Sequence, residues 1–284
     1  MTVQDAFARV TELDDATVNR LIDRLEFRGR DPFFVQMREA YLDRMALDPG
    51  ATVIEVGCGT GVVVRALVRR AGFAGAVIGI DPSPVFINAA RKLAADEGLA
   101  DRIQFEVGDG HALAFSDDHF DAVLVHTTIS HVTDPLALLW ECARVLRPGG
   151  QLAVFDGDYA SWTFAHPDHD LARAMEEAVI GAVVNNPRVL RDMPRMLSEV
   201  GLERIDTLAD VYADIGAGSF FGPAIEAYGP LAVGAGLVTA EAMEGWLRDQ
   251  AQARERGDFF AACNYYTYLA RPRPGRARRS TTSE

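Results

Sequence analysis

From residue 52 onward, short apolar runs alternate with longer stretches whose apolar residues recur at helical spacing. Thr52–Val56, Val77–Ile80, Ile103–Val107, Ala122–Val125 and Leu152–Phe155 have the length of strands. Helix-length segments lie between them at Val62–Arg70, Pro84–Glu97 and Pro135–Leu146. This alternation predicts parallel strands joined by right-handed helical crossovers, a doubly wound α/β sheet. Upstream, residues 14–47 read as two amphipathic helices. Leu21, Ile22 and Leu25 mark the apolar face of the first, and Asp31-Pro32 opens the second with a cap and an N1 proline. Asp48-Pro49-Gly50 stops it.

After Phe155 the rhythm changes. Residues 156–170 read as loop, 171–184 and 189–200 as helices, and 202–211 as a strand. A Gly-rich, aromatic segment covers 216–246, and a last strand-like run spans 260–270. The Arg-rich tail that follows has no periodicity and reads as disordered. The organisation expected is cap helices over 1–48, one α/β domain over 49–270 with cover segments at about 156–186 and 216–246, and a basic tail over 271–284.

Composition narrows the class. An apolar fraction of 49% and a charged fraction of 24% exclude a wholly disordered chain and a disulfide-dense mini-domain. With 41 acidic against 28 basic residues the formal charge is −13, which repels a phosphate backbone and argues against nucleic acid as a partner. Cys58, Cys142 and Cys263 have neither zinc nor disulfide spacing and read as reduced thiols. The N-terminus, with Asp5 and Arg9, has no apolar signal region, and Gly229–Val238 is too short to span a bilayer. The expectation is a soluble, cytoplasmic protein with no membrane partner; oligomeric state is open.

The chemistry concentrates at strand ends. In Val53-Ile-Glu-Val-Gly-Cys-Gly-Thr-Gly61, glycines at 57, 59 and 61 let the backbone turn tightly and approach a ligand closely. The dinucleotide fingerprint needs a glycine at 62, where Val62 stands, so an NAD-dependent oxidoreductase is disfavoured. Asp81, followed by Pro82, ends the second strand, where a carboxylate can accept both ribose hydroxyls. Asp109-Gly110 ends the third, where an acid can accept from an exocyclic amine. Phe120-Asp-Ala-Val123 and Leu146-Arg-Pro-Gly-Gly150 complete the ordered set.

Taken together these motifs resemble the class I S-adenosylmethionine-dependent methyltransferases, in the branch that includes ubiquinone-pathway and natural-product enzymes. The resemblance covers residues 33–156 by motif and extends to about 270 by element order. It implies a Rossmann-like, mainly parallel seven-stranded sheet with N-terminal cap helices and an inserted helical cover. It further implies S-adenosylmethionine as cofactor, with Glu55 and the loop Gly57, Cys58, Gly59, Thr60 and Gly61 at its methionine part. Asp81 would take the ribose, Asp109 the adenine, and His126, at the end of the fourth strand, would lie beside the methionine. Relatives that methylate hydroxyls place a base where His131 stands and an acid where Asp156 stands. Many carry a second histidine at the position of Ser130.

Methyl transfer to a hydroxyl needs alignment, exclusion of water and removal of a proton, and a histidine titrating near neutrality suits the last task. The expected function is O-methylation of an apolar or aromatic small molecule. The alternatives are N- or C-methylation and a non-catalytic cofactor-binding protein. His166-Pro-Asp-His-Asp170 reads as a helix start capped by Asp168 or Asp170 rather than as a metal site, and no metal is expected. Arg38 is a candidate for the cofactor's carboxylate. The aromatics Phe33, Phe34, Tyr41, Tyr159, Trp162, Phe164, Phe220, Phe221, Tyr228 and Trp246 supply the acceptor cover, more than half of them closing a core.

Overall fold

The computed structural model describes residues 15–274. The expectations for the extreme N-terminus and for the tail from residue 275 lie outside the described residues. The elements run α1 (Asp15–Arg30), α2 (Pro32–Met45), β1 (Val53–Val56), α3 (Val62–Val68), β2 (Val77–Asp81), α4 (Pro84–Asp96) and β3 (Ile103–Val107). Then follow β4 (Phe120–His126), α5 (Pro135–Val145), β5 (Leu146–Phe164), α6 (His169–Val183), α7 (Val189–Glu199), β6 (Leu202–Gly216), α8 (Phe221–Gly234), α9 (Ala240–Arg256) and β7 (Phe259–Pro272).

The strands form one seven-stranded sheet in the order β3-β2-β1-β4-β5-β7-β6. The five strands from β3 to β5 are parallel, with Val53 beside Val77 on one side and Ala122 on the other. Only β7 runs antiparallel, between β5 and β6. All four residues of β1 are buried, as a central strand covered on both faces requires. One core layer joins Met37, Val64 and Ile87 from α2, α3 and α4 to Val53 and Leu124 of the sheet. The opposite layer joins Leu139 of α5 and Met193 of α7 to Ile54 and Val123. Helix α1 packs across the top, with Val18 and Leu21 against Phe86 of α4.

The helix starts follow the sequence signals. Asp31 accepts from the backbone N–H groups of Phe33 and Phe34, Ser83 from that of Phe86, and Asp134 from that of Ala137. Each is followed by a proline at the first turn. One expectation is corrected. Residues 156–170 are not all loop, because β5 continues to Phe164. Asp156-Gly157-Asp158 reads locally as a turn, but β7 supplies a ladder, pairing Asp158 with Asn264 and then Thr163 with Ala262. The four residues 159–162 opposite a single β7 position form a bulge, which a distant strand dictates and local sequence does not. The segment 216–246 resolves into α8 and the first part of α9.

Candidate active site

The carboxyl ends of the parallel strands open onto a cavity of about 330 Å³, roofed by α1 and α2. The loop after β1 forms its floor. Gly57 and Cys58 both donate to the carbonyl of Ile80 at 2.8 Å, and Gly61 donates to the carbonyl of Cys58 at 2.8 Å. Gly57 has φ +73°, and a Cβ there would stand 2.3 Å from the Thr128 side chain. Only glycine fits both the conformation and the space.

Asp81 holds this loop from the next strand. Its Oδ2 accepts from Gly59 N and its Oδ1 from Ser83 N, each at 2.9 Å. Burial pushes its carboxyl up to about 6, against those two hydrogen bonds. Glu55 is 2% exposed and accepts only one hydrogen bond among the described residues, from Val64 N at 3.2 Å. Burial pushes it up to about 8. Two carboxyls on one wall, short of positive partners, suit a ligand that brings its own cation. Asp109 lies at the rim and accepts from the backbone and ring Nδ1 of His111 at 2.9 and 2.8 Å. The backbone N–H of His111 is the main cause of its lowered pKa.

Glu55, Gly57, Cys58, Gly59, Thr60, Asp81, Pro82, Asp109, Gly110, His126 and His131 all reach the cavity wall. Two candidates do not. Gly61 is buried at the start of α3 with φ +77°, so its task is to turn the chain. Asp156 is 0% exposed behind the wall, where it accepts from Ser130 N at 3.1 Å and Gly157 N at 2.8 Å. Its pKa is raised by burial, and the opposing influences begin with the charge of His131. The cavity therefore sees His131, with Asp156 behind it.

His126 stacks on Phe155 with ring centroids 4.4 Å apart, and its Nδ1 lies 3.1 Å from the Tyr41 hydroxyl. Burial of the ring, then the charges of Arg28 and Arg38, hold its pKa well below the usual value, while burial raises that of Tyr41. The pair is thus a neutral imidazole hydrogen-bonded through Nδ1 to a protonated phenol.

The loop after β4 is fastened in ways no local motif announces. Thr127 sits at φ +51°, a rare conformation for a β-branched residue. Its N–H donates to Phe155 O at 2.7 Å and its hydroxyl accepts from Arg28 Nη2 at 2.7 Å. Asn185 and Asn186 donate to the carbonyls of His131 and Val132 at 2.5 and 2.6 Å. Arg28, Asn185 and Asn186 escaped the sequence reading because each arrives from a segment remote from the strand ends. Arg38, 8% exposed, is on the wall as expected, and donates to Gly29 O and Glu39 at 3.2 Å. Of the ten cover aromatics only Phe34 lines the cavity; Trp162, Phe164, Phe220, Phe221 and Trp246 close the core. Asp168 caps α6, and His166 meets Asp249 at 3.3 Å.

Known proteins bear on this geometry. Residues 54–154 match a family model described as a methyltransferase domain. Over 240 residues the chain is 31% identical to an uncharacterised 37.1 kDa protein in a transposon of Streptomyces fradiae, covering 84% of this chain and 67% of that one. The chain belongs to the class I S-adenosylmethionine-dependent methyltransferases. Within that family it is 35% identical over 119 residues to the ubiquinone/menaquinone biosynthesis C-methyltransferase UbiE of Roseobacter denitrificans, covering 42% of this chain and 47% of that one. The chain thus spans about half the length of that methyltransferase. In fold it resembles the solved structure of BH2331 from Bacillus halodurans C-125, with a TM-score of 0.60 and 19% identity over 83% of this chain and 99% of that chain. No described helix is long and apolar enough to cross a membrane.

Proposed function

We propose that this methyltransferase-family chain transfers a methyl group from S-adenosylmethionine to a hydroxyl of an apolar or aromatic small molecule. The observation that carries the reading is His131 on the cavity wall, within the electrostatic reach of the Asp156 carboxyl buried behind that wall.

The residues present fit the cofactor. Gly57 and Gly59 offer a floor without Cβ atoms, and Glu55, Asp81 and Asp109 offer acceptors for its amine and hydroxyl donors. Arg38 offers a cation on the same wall. When bound, S-adenosylmethionine supplies a methyl group already activated by its sulfonium leaving group.

The protein's share is then alignment and one proton. Asp81 would hold the ribose, Glu55 the ammonium end and Arg38 the carboxylate. The roof of α1 and α2 excludes water from the floor. The His131 imidazole takes the proton from the acceptor hydroxyl as the oxygen attacks, and the buried Asp156 stabilises the resulting imidazolium. His126, neutral and held by Tyr41, orients polar atoms without competing for that proton. C-methylation is the second reading, supported by the likeness to the C-methyltransferase UbiE; a phenol acceptor attacking the methyl group through its ring carbon would lose its proton to the same base.

The test is a panel of phenols, hydroxyquinones and hydroxylated apolar metabolites, incubated with methyl-labelled S-adenosylmethionine and read by mass spectrometry. A labelled methyl ether supports O-methylation, and label on carbon supports the second reading. Tight S-adenosylhomocysteine binding without any transfer, even to the best-binding acceptors, would contradict both.

A further inference from the structure

The two arginines on the cavity wall have different surroundings. Arg38 is paired with Glu39, and its charge is felt by Glu55, Tyr41 and His126, on the glycine-loop side. Arg28 meets no carboxylate among the described residues; its one hydrogen bond runs to the neutral Thr127 hydroxyl, and its guanidinium lies 5.9 Å from the Phe34 ring centroid. Its charge is felt by His126, Tyr159 and Tyr265. His126 is the group that both arginines influence, so it marks the boundary between the two ends of the cavity.

Beyond that boundary Arg28 and Phe34 line the wall, and further aromatic rings back it. Tyr159 stands 6.3 Å from His131, Tyr265 stacks on Phe155 at 5.8 Å, and Phe34 packs edge-on to Tyr265 at 5.1 Å. Gly157 lies between Tyr159 and Tyr265, 3.2 Å from each when a Cβ is placed on it, so a side chain there would force the rings apart. One turn before Arg28 on the same face of α1, Arg24 lies 4.2 Å over Phe220 with a buried Nη1 that has no hydrogen-bond partner among the described residues. In a protein of net charge −13, neither guanidinium meets a carboxylate among the described residues, and Arg28 is the one of the two on the cavity wall.

We propose that the acceptor carries a carboxylate, bound by Arg28 at the His131 end of the cavity. The inference rests on the methyltransferase reading above and adds the substrate class to it. A single guanidinium on the wall balances a single negative charge. A carboxylate anchored there lets the aromatic or apolar body of the acceptor lie along Phe34, with its hydroxyl at His131. Arg38, on the other side of His126, remains for the carboxylate of the cofactor.

The experiment is calorimetry on full-length protein saturated with S-adenosylhomocysteine, titrated with a panel of hydroxylated aromatic and aliphatic carboxylic acids, each beside its primary amide. The expected result is at least one acid binding tenfold or more tighter than its amide, a preference that Arg28→Gln abolishes and Arg28→Lys partly restores. Affinity for S-adenosylhomocysteine should stay within about twofold in Arg28→Gln and fall at least tenfold in Arg38→Gln. The proposal is overturned if no acid outbinds its amide. It is equally overturned if Arg28→Gln weakens S-adenosylhomocysteine tenfold, which would put Arg28 on the cofactor's own carboxylate. Failure of the wild-type protein to bind S-adenosylhomocysteine would instead strike the underlying methyltransferase reading.

Discussion

The two ends of one cavity are built in opposite ways. At the glycine-loop end, Glu55, Asp81 and Asp109 stand at or beside the carboxyl ends of three neighbouring parallel strands, and each accepts from backbone N–H groups of the loops and helix starts that follow those strands. At the His131 end, the wall comes from α1, α2 and the loop after β4, backed by the β5 bulge and β7. The first end is acidic and shaped by sheet geometry. The second is cationic and aromatic, and is held together by contacts between remote segments. A parallel sheet prescribes where the first set of ligands must stand; nothing so general prescribes the second, and this is the end free to define an acceptor.

The largest test of the prescribed end is Gly57→Val. Its Cβ would collide with Thr128, and the left-handed backbone alone costs about 1–2 kcal/mol. S-adenosylhomocysteine affinity should fall a hundredfold or more by calorimetry, with a lowered melting temperature; binding within threefold of wild type would break the account of this floor. At the other end, His131→Ala should reduce kcat by about 10²–10⁴-fold with cofactor affinity unchanged. That split between turnover and binding is what separates the ends; loss of both together would merge them.

The contrast also explains what could be read from the sequence. The strand–helix alternation and the loop from Glu55 to Gly61 were legible because apolar period, glycine spacing and strand-end acids are local signals. Asp31-Pro32 likewise announced its helix. The extension of β5 to Phe164 was not legible, because Asp156-Gly157-Asp158 has turn composition and only pairing with β7 turns it into strand. Arg28 was missed for the same reason: on its own helix it is one more arginine, and it becomes a cavity residue only when α1 closes over the sheet. Most rings of the aromatic cover fill the core behind the cavity, as their number and spread along the chain suggested.

Smaller effects sharpen the comparison. Asp81→Ala should cost about 1.5–3 kcal/mol of cofactor binding, roughly 10–150-fold, because hydrogen bonds to an ionised group are lost. The pH dependence follows from the same wall. Glu55 ionises at about 8 in the folded protein against an ordinary 4.5, and Asp81 at about 6 against 3.8. The folded state therefore holds protons that the unfolded chain has released, so these groups make the ligand-free protein less stable as pH rises from about 4 to 8. A bound cation favours their charged forms. Binding of S-adenosylmethionine should therefore tighten from pH 6 to 8 and release protons, which calorimetry in buffers of different ionisation enthalpy detects; affinity flat across that range would contradict the acidic wall.

The smallest effect is expected of Tyr41→Phe, which removes the hydroxyl 3.1 Å from His126 Nδ1. It should lower kcat/KM by roughly fivefold, about 1 kcal/mol, and change the His126 pKa little, since burial dominates that shift.

The most direct measurement is a crystal structure of the protein with S-adenosylhomocysteine. The account predicts ribose hydroxyls on Asp81, the amino acid portion between Glu55 and Arg38, and the sulfur facing the His126–His131 end. A nucleoside seated away from Asp81, or a ligand that fills the His131 end itself, would contradict it.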